Sequence, residues 1–224
     1  MNLQEKVSIS RGILEKVLNI SRPDQVFVAW TGGKDSTVAL YLWSWFLEEK
    51  NFTGKPGSVT IDTGLKFPEV TAFREKVGRD WDIDQNVFRP DLDLQSYPVA
   101  QDKVRCCHDL KIIPLKKAVA ELEVKCLLSG IRSDEHLSRA DRDIFETRID
   151  PDYQQVNPLL HWTEMDIWSF TIQHNLPHCE LYTRGYTSLG CKPCTVRTTG
   201  AGERSGRVRE KEDSLGMLRS LGYF

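Results

Sequence analysis

The chain has 224 residues, 40% hydrophobic and 28% charged, with six cysteines and a formal net charge of −2. That length suits one large domain, or one domain with a small appendage, and is enough to bury a substantial single core. The charge balance excludes a global basic field for nucleic acid, no apolar run reaches the roughly 18–20 residues of a membrane span, and MNLQEKVSIS lacks the apolar stretch of a signal peptide, so a cytoplasmic location is expected.

Apolar positions at Val7, Ile13, Leu14, Val17, Leu18 and Ile20, with Pro23 following, predict a packing helix over residues 1–20. Val26 to Trp30 reads as a buried strand, and a helix-like run from Val38 to Leu47 follows TGGKDST at 31–37. A second strand is expected over Ser58 to Ile61, then a helix from Phe67-Pro68-Glu69 to about Trp81, since proline suits the first helical turn. Asn86 to Phe88 suggests a third strand. Residues 104–122 look helical, with Pro114 a local complication. Val124 to Ser129 is another strand, and Thr163 to His174 a helix with Thr163 as N-cap. From Gly185 onward the chain reads as an irregular tail. Strands alternating with helices imply an α/β fold, a mainly parallel sheet with helices on both faces. The expected division is an N-terminal helix (1–24), a nucleotide-binding α/β domain (25–184) and a C-terminal segment (185–224).

Thr31-Gly32-Gly33-Lys34-Asp35-Ser36-Thr37 lies between a predicted strand and a predicted helix. Two glycines let the backbone approach a ligand, and the helix N-terminus offers free N–H groups to an anion. Lys34 adds a full charge; Ser36 and Thr37 add hydroxyls. The spacing differs from the P-loop GxxxxGK[ST]. The plainer alternative is a strand–turn–helix connection with a solvated lysine. The loop resembles the SGGKDS pyrophosphate loop of the N-type ATP pyrophosphatases, the adenine-nucleotide α-hydrolase superfamily.

Further segments narrow the resemblance. Ile61-Asp62-Thr63-Gly64 with Phe67-Pro68-Glu69 is similar to the DTG…FPE segment of the phosphoadenylyl-sulfate (PAPS) reductase family. Gly130-Ile131-Arg132 through Arg139 resembles its GIRR stretch, Asn157 to Trp168 its PLxxWTExDVW run, and Tyr182 to Cys194, ending YTSLGCKPC, its GYPSIGCxPC. The resemblance implies nucleotide contacts from Thr31, Gly32, Gly33, Lys34, Ser36, Thr37, Asp62, Gly130, Arg132 and Arg139. Lys34, Asp35, Ser36 and Arg132 are the candidate catalytic residues. Arg132 and Arg139 suit phosphate or sulfate oxygens; ion pairs with Asp134 or Asp141 are the alternative. Asp62 suits Mg²⁺ or a ribose, or merely caps the next turn. Trp162 and Trp168 read as core aromatics.

Cysteines in a reducing compartment point to metal or catalysis. Cys106-Cys107 and Cys191-x-x-Cys194, brought together, give Cys₄ ligation. The combination resembles the 4Fe–4S site of adenylyl-sulfate (APS) reductases; zinc is the runner-up. Lys103, Arg105, Lys111 and Lys192 lie near these thiolates in sequence. Cys126 reads as a small core residue, and Cys179 as structural.

Two departures shape the functional expectation. The ECGLH-like tail of the reductases, which carries their nucleophilic cysteine, has no counterpart after Cys194. The loop keeps its lysine, which APS reductases typically lose. Together they favour an ATP pyrophosphatase that adenylates an acceptor for sulfur transfer, similar to the ATP pyrophosphatases of DNA phosphorothioation systems, using ATP and Mg²⁺ beside the cluster. Expected partners are a cysteine desulfurase, DNA through the basic segment 192–211, and a second copy of the chain in a homo-oligomer. The rivals are a PAPS or APS reductase using an external thiol and a thioredoxin-like reductant, and a non-catalytic nucleotide-binding subunit.

Overall fold

Short apolar segments form the centre of the sheet. In the computed structural model, which describes residues 1–198, 200 and 202–223, β1 (Val26–Ala29) and β4 (Cys126–Leu128) are buried at every position. Such strands are covered on both faces. β2 (Gly57–Ile61) pairs with β1, and β3 (Asp84–Phe88) with β2, all in parallel. β4 lies on the other side of β1. β6 (Asp152–Val156) runs parallel to β4, and β5 (Phe145–Ile149) closes the sheet antiparallel to β6. The order β3-β2-β1-β4-β6-β5 is mainly parallel, as the alternation of elements predicts. Chain order reverses at β1, and the loops leaving such a switch point part to form a crevice at the C-terminal strand ends.

Helices cover both faces. On one, α1 (Leu3–Ile20), α2 (Lys34–Glu49) and α6 (Glu164–Gln173) share a core that includes Leu14, Val17, Trp30, Trp43, Trp162 and Phe170. Ser10 Oγ in α1 donates to Pro158 O (2.7 Å), and the Trp162 indole donates to Ser10 Oγ (3.0 Å). Thr163 caps α6 in a capping box with Asp166, as the sequence suggests. On the other face α5 (Ile113–Glu121) sets Leu115, Ala118 and Val119 against Phe27 and Leu127. α3 (Pro68–Asp80) begins at the proline that marks it in the sequence. Among the described residues no helix is long and apolar enough to cross a membrane.

Four sequence expectations need correction. The helix over 104–122 is α4 (Lys103–Cys107) joined to α5 through a π-type widened turn over His108–Ile112. Proline has no N–H and its ring crowds the carbonyl four residues back, so a widened turn accommodates Pro114. The sequence pattern places no strand between residues 129 and 163, yet β5 and β6 lie there; Glu146, Arg148 and Gln154 give this edge hairpin the composition of a loop. The expected irregular tail carries α7 (Arg209–Asp213) and α8 (Leu215–Ser220), with Leu215 and Leu218 buried beside Cys107 and Ile112. Trp162 is a core residue, but Trp168 is only half-buried, edge-on to Tyr182 at 5.3 Å.

Candidate active site

The loop between β1 and α2 opens onto a cleft of about 1160 Å³ at the switch point. Gly33 is extended and α2 starts with no side-chain cap, so its first N–H groups face that space. One of them, Lys34 N–H, donates to the Tyr182 hydroxyl at 3.0 Å. Ser36 Oγ donates to Gly33 O (3.0 Å) and accepts from Thr31 N–H (3.2 Å), which locks the turn. Thr31, Gly33, Lys34, Asp35, Ser36, Gly130 and Arg139 line the cleft as expected. Gly32 and Thr37 do not. Gly32 (φ +80°) packs so closely on α3 that a Cβ would sit 2.9 Å from Val70 Cγ1, and Thr37 Oγ1 accepts from the buried Trp30 indole at 3.1 Å.

The loop's cations are spent on internal carboxylates. Lys34 is 3% exposed; its ammonium pairs with Asp35 (3.3 Å) and Glu203, and lies 3.8 Å from Glu164. Arg132, fully buried and outside the cleft lining, pairs with Asp134 (2.9 Å), Asp35 and Glu203. Burial pulls the Lys34 pKa down, but Asp35, Tyr182 and Glu203 outweigh it and hold the ammonium charged. Burial and Asp35 raise the Glu203 carboxyl from its ordinary value, while Lys34 and Arg132 pull against them and favour its charge. A second network flanks the first: Glu135 pairs with Arg139 and with Arg204 (2.6 Å), and Glu212 with Arg204 (2.6 Å). Burial works against the Glu135 charge, but Arg139, Arg204 and Arg132 bring its pKa to about 2. The Arg132–Asp134 pair raised as an alternative is therefore present. Arg139 takes Glu135 instead of Asp141, which Arg219 binds at 2.8 Å. Asp62 is a turn cap: it accepts from Gly64 N–H (3.0 Å), pairs with Arg89 (3.0 Å), and lies outside the cleft lining.

Cys106, Cys107, Cys191 and Cys194 line one small adjoining chamber with Lys111 and Lys211. The chain reaches it because Lys192 N–H donates to Leu65 O (2.8 Å) and Cys191 bridges to Lys66. Burial raises the Cys191 thiol, but Lys111, Lys66, the Thr63 hydroxyl at 3.4 Å and Lys211 bring it down to about 6. Burial and the other three thiols raise Cys106, with a backbone hydrogen bond opposing. Among the described residues no three His, Cys, Asp or Glu converge on one ion. Four thiols beside Lys66, Lys111 and Lys211 are the residues whose chemistry could hold a negatively charged group such as an iron–sulfur cluster. Lys66 and Lys111 also line the cleft, where Cys191 and Tyr223 favour the charge on both and Cys107 adds to that on Lys111. Of the other basic residues near the thiols in sequence, Lys103 turns to Ala100 O, Arg105 lies 3.6 Å from Asp109, and Lys192 is exposed. Cys126 and Cys179 are buried in separate apolar clusters, as expected.

The basic segment 192–211, apart from Thr199 and Ala201, which lie outside the described residues, divides between the surface, where Lys192, Arg197 and Arg209 are exposed, and the interior. Arg204 and Arg207 line the cleft and Lys211 is buried.

Gly130 fixes the loop from the far side. A Cβ on it would stand 2.6 Å from Ser36 N and 2.7 Å from Asp35 C, both backbone. Gly130→Ala is expected to displace the first turn of α2, lowering AMP affinity at least about 10-fold and stability by about 1–3 kcal/mol. Calorimetric titration and thermal melting check both.

Comparison with known proteins follows the same lines. Residues 25–197 match the phosphoadenosine phosphosulfate reductase domain. An adenosine 5'-phosphosulfate reductase of Bacillus velezensis is 37% identical over 160 residues, covering 66% of this chain and 67% of that protein. The fold resembles a crystal structure of PAPS reductase from Candida auris, phosphate complex (TM-score 0.70, 19% identity, 84% of this chain and 90% of that one). It also resembles Candida glabrata FMN adenylyltransferase with FMN and an ATP analogue (TM-score 0.71, 21% identity, 98% and 83%). The expectation of an ATP pyrophosphatase is overturned: relatives at 28–37% identity carry the reductase name. Its physical premise also fails, because the retained Lys34 is neutralised by Asp35 and Glu203. Motifs, sheet order, cleft and sequence relatives agree, and the chain belongs to the phosphoadenosine phosphosulfate reductase domain family.

Proposed function

We propose that this enzyme reduces a sulfonucleotide, adenosine 5'-phosphosulfate, to sulfite and AMP with electrons from an external thiol. One observation carries the reading: Lys66 and Lys111 stand in the wall between the nucleotide cleft and the four-thiol chamber. The nucleotide lies in the cleft with its α-phosphate at the N-terminus of α2, where Gly33, Ser36 and the backbone N–H groups receive it. Arg139 and Arg204, held by Glu135, border the same cleft.

All six cysteines are buried, which favours a separate dithiol, such as a thioredoxin-like protein, as nucleophile and reductant. Its thiolate attacks the sulfur of the sulfonucleotide, the sulfur–oxygen bond to phosphate breaks, and AMP leaves with the bridging oxygen. A second thiol then attacks the sulfane sulfur of the resulting thiosulfonate, releasing sulfite and forming a disulfide. Two thiols supply two electrons and release two protons. Positive charge on the Lys66–Lys111 wall stabilises negative charge growing on the departing groups.

Cys106, Cys107, Cys191 and Cys194 are the proposed ligands of a 4Fe–4S cluster. When bound, that group supplies a buried polarisable charge beside the cleft.

Purified protein given adenosine 5'-phosphosulfate and reduced thioredoxin is expected to release sulfite and AMP in equal amounts. Release of pyrophosphate from ATP, with no sulfite from either sulfonucleotide, sinks the proposal.

A further inference from the structure

We infer that Glu203 is a specificity-determining residue that closes the Lys34–Arg132 end of the site to polyphosphate. The inference deepens the sulfonucleotide reading and rests on it. Glu203 reaches Lys34 with one carboxylate oxygen and Arg132 with the other, and its side chain is 7% exposed. Lys34 opens α2 and Arg132, from the loop after β4, pairs with Asp35 beside it, where a nucleotide's phosphate chain would extend beyond the α-phosphate. Arg132, behind this carboxylate, takes no part in lining the cleft.

A nucleotide ending in β- and γ-phosphates would have to expel Glu203, unpair two buried cations and desolvate its own added charge in the same place. A sulfonucleotide adds only one negative charge beyond the α-phosphate, and the cleft offers it Lys66, Lys111 and Arg207 elsewhere. The lysine of the loop is thus retained as a neutralised structural cation. The carboxylate supplied from the C-terminal segment turns a loop of polyphosphate-binding type into one that accepts a single phosphate. Removing the Glu203 charge leaves Lys34 and Arg132 with Asp35, Asp134 and Glu164, one carboxylate fewer to repel and displace for an incoming β-phosphate.

Calorimetric titration of wild type, Glu203→Gln and Glu203→Ala with AMP and with ATP tests this. Wild type is expected to bind AMP at least 10-fold tighter than ATP. Both variants should narrow that ratio at least 10-fold, chiefly through tighter ATP binding, with AMP affinity moving less than 3-fold. A purely structural role would weaken both ligands together and leave their ratio unchanged. That result, or wild-type protein binding ATP as tightly as AMP, overturns the inference; the wild-type measurement stands even if a variant fails to fold. Sulfite release is assayed separately, so loss of the reductase reading shows there and not in the ATP-to-AMP ratio.

Discussion

Cys191→Ser is expected to leave the protein nearly free of iron after anaerobic reconstitution and to cut sulfite release by more than about 100-fold, since changes merely outside a metal's ligand set already cost about 10–100-fold. Cys191 is the position most tuned for ligation. Its thiol sits near 6 because Lys111, Lys66 and Lys211 and the Thr63 hydroxyl overcome the effect of burial, so it is largely thiolate at neutral pH. Serine keeps the size but offers a far weaker anion. The readouts are iron per chain, the visible absorbance of the reconstituted protein and thermal melting, with sulfite release as a fourth. Cys126→Ser is the contrast: Cys126 lies near Ser21 in a different cluster and should retain full iron. Undiminished iron in Cys191→Ser would remove the chamber from the account.

Arg132→Ala is expected to be the most destabilising single change at the site. Its guanidinium serves Asp35, Asp134 and Glu203 while itself fully buried. Removing one partner of a buried pair typically costs about 3–5 kcal/mol because the remaining charge is left uncompensated. For a chain of this size that lowers the melting temperature by roughly 6–20 °C. Arg132→Lys should recover only part of the loss, since an ammonium cannot reproduce the fork that reaches three carboxylates. A melting temperature for Arg132→Ala within about 2 °C of wild type would show that the network contributes little.

The parts of this architecture that were legible in the sequence are those where one local signal decides the outcome. The apolar run Val26 to Trp30, the glycine pair after it, Pro68 opening α3 and the Thr163 box opening α6 each declare themselves within a few residues. The cysteine pairs were legible as one set because their spacing suggests a shared centre, although more than eighty residues separate them. The misses are of another kind. β5 and β6 read as loop because an edge hairpin satisfies its backbone by pairing and needs few apolar side chains. Glu203 and Glu135 look like ordinary surface acids in GERSGR and SDEHLSR; only the fold sets them against Lys34, Arg132, Arg139 and Arg204. Retention of Lys34 was misread for the same reason. A cation in a motif says nothing about which anion occupies it, and here the occupant comes from 169 positions downstream. Lys66, Lys211, Tyr182 and Tyr223 belong with these, being polar residues whose surroundings exist only after folding.

Helix α1 precedes the stretch that matches the family, yet Val7, Ile13, Leu14 and Val17 share one core with Trp30 and Trp162. Ser10 also satisfies the Trp162 indole and the Pro158 carbonyl. A polypeptide trimmed to begin at residue 25 would therefore expose greasy surface and strand a polar group in the interior. The smallest piece able to fold independently is wider than the region by which its ancestry is recognised.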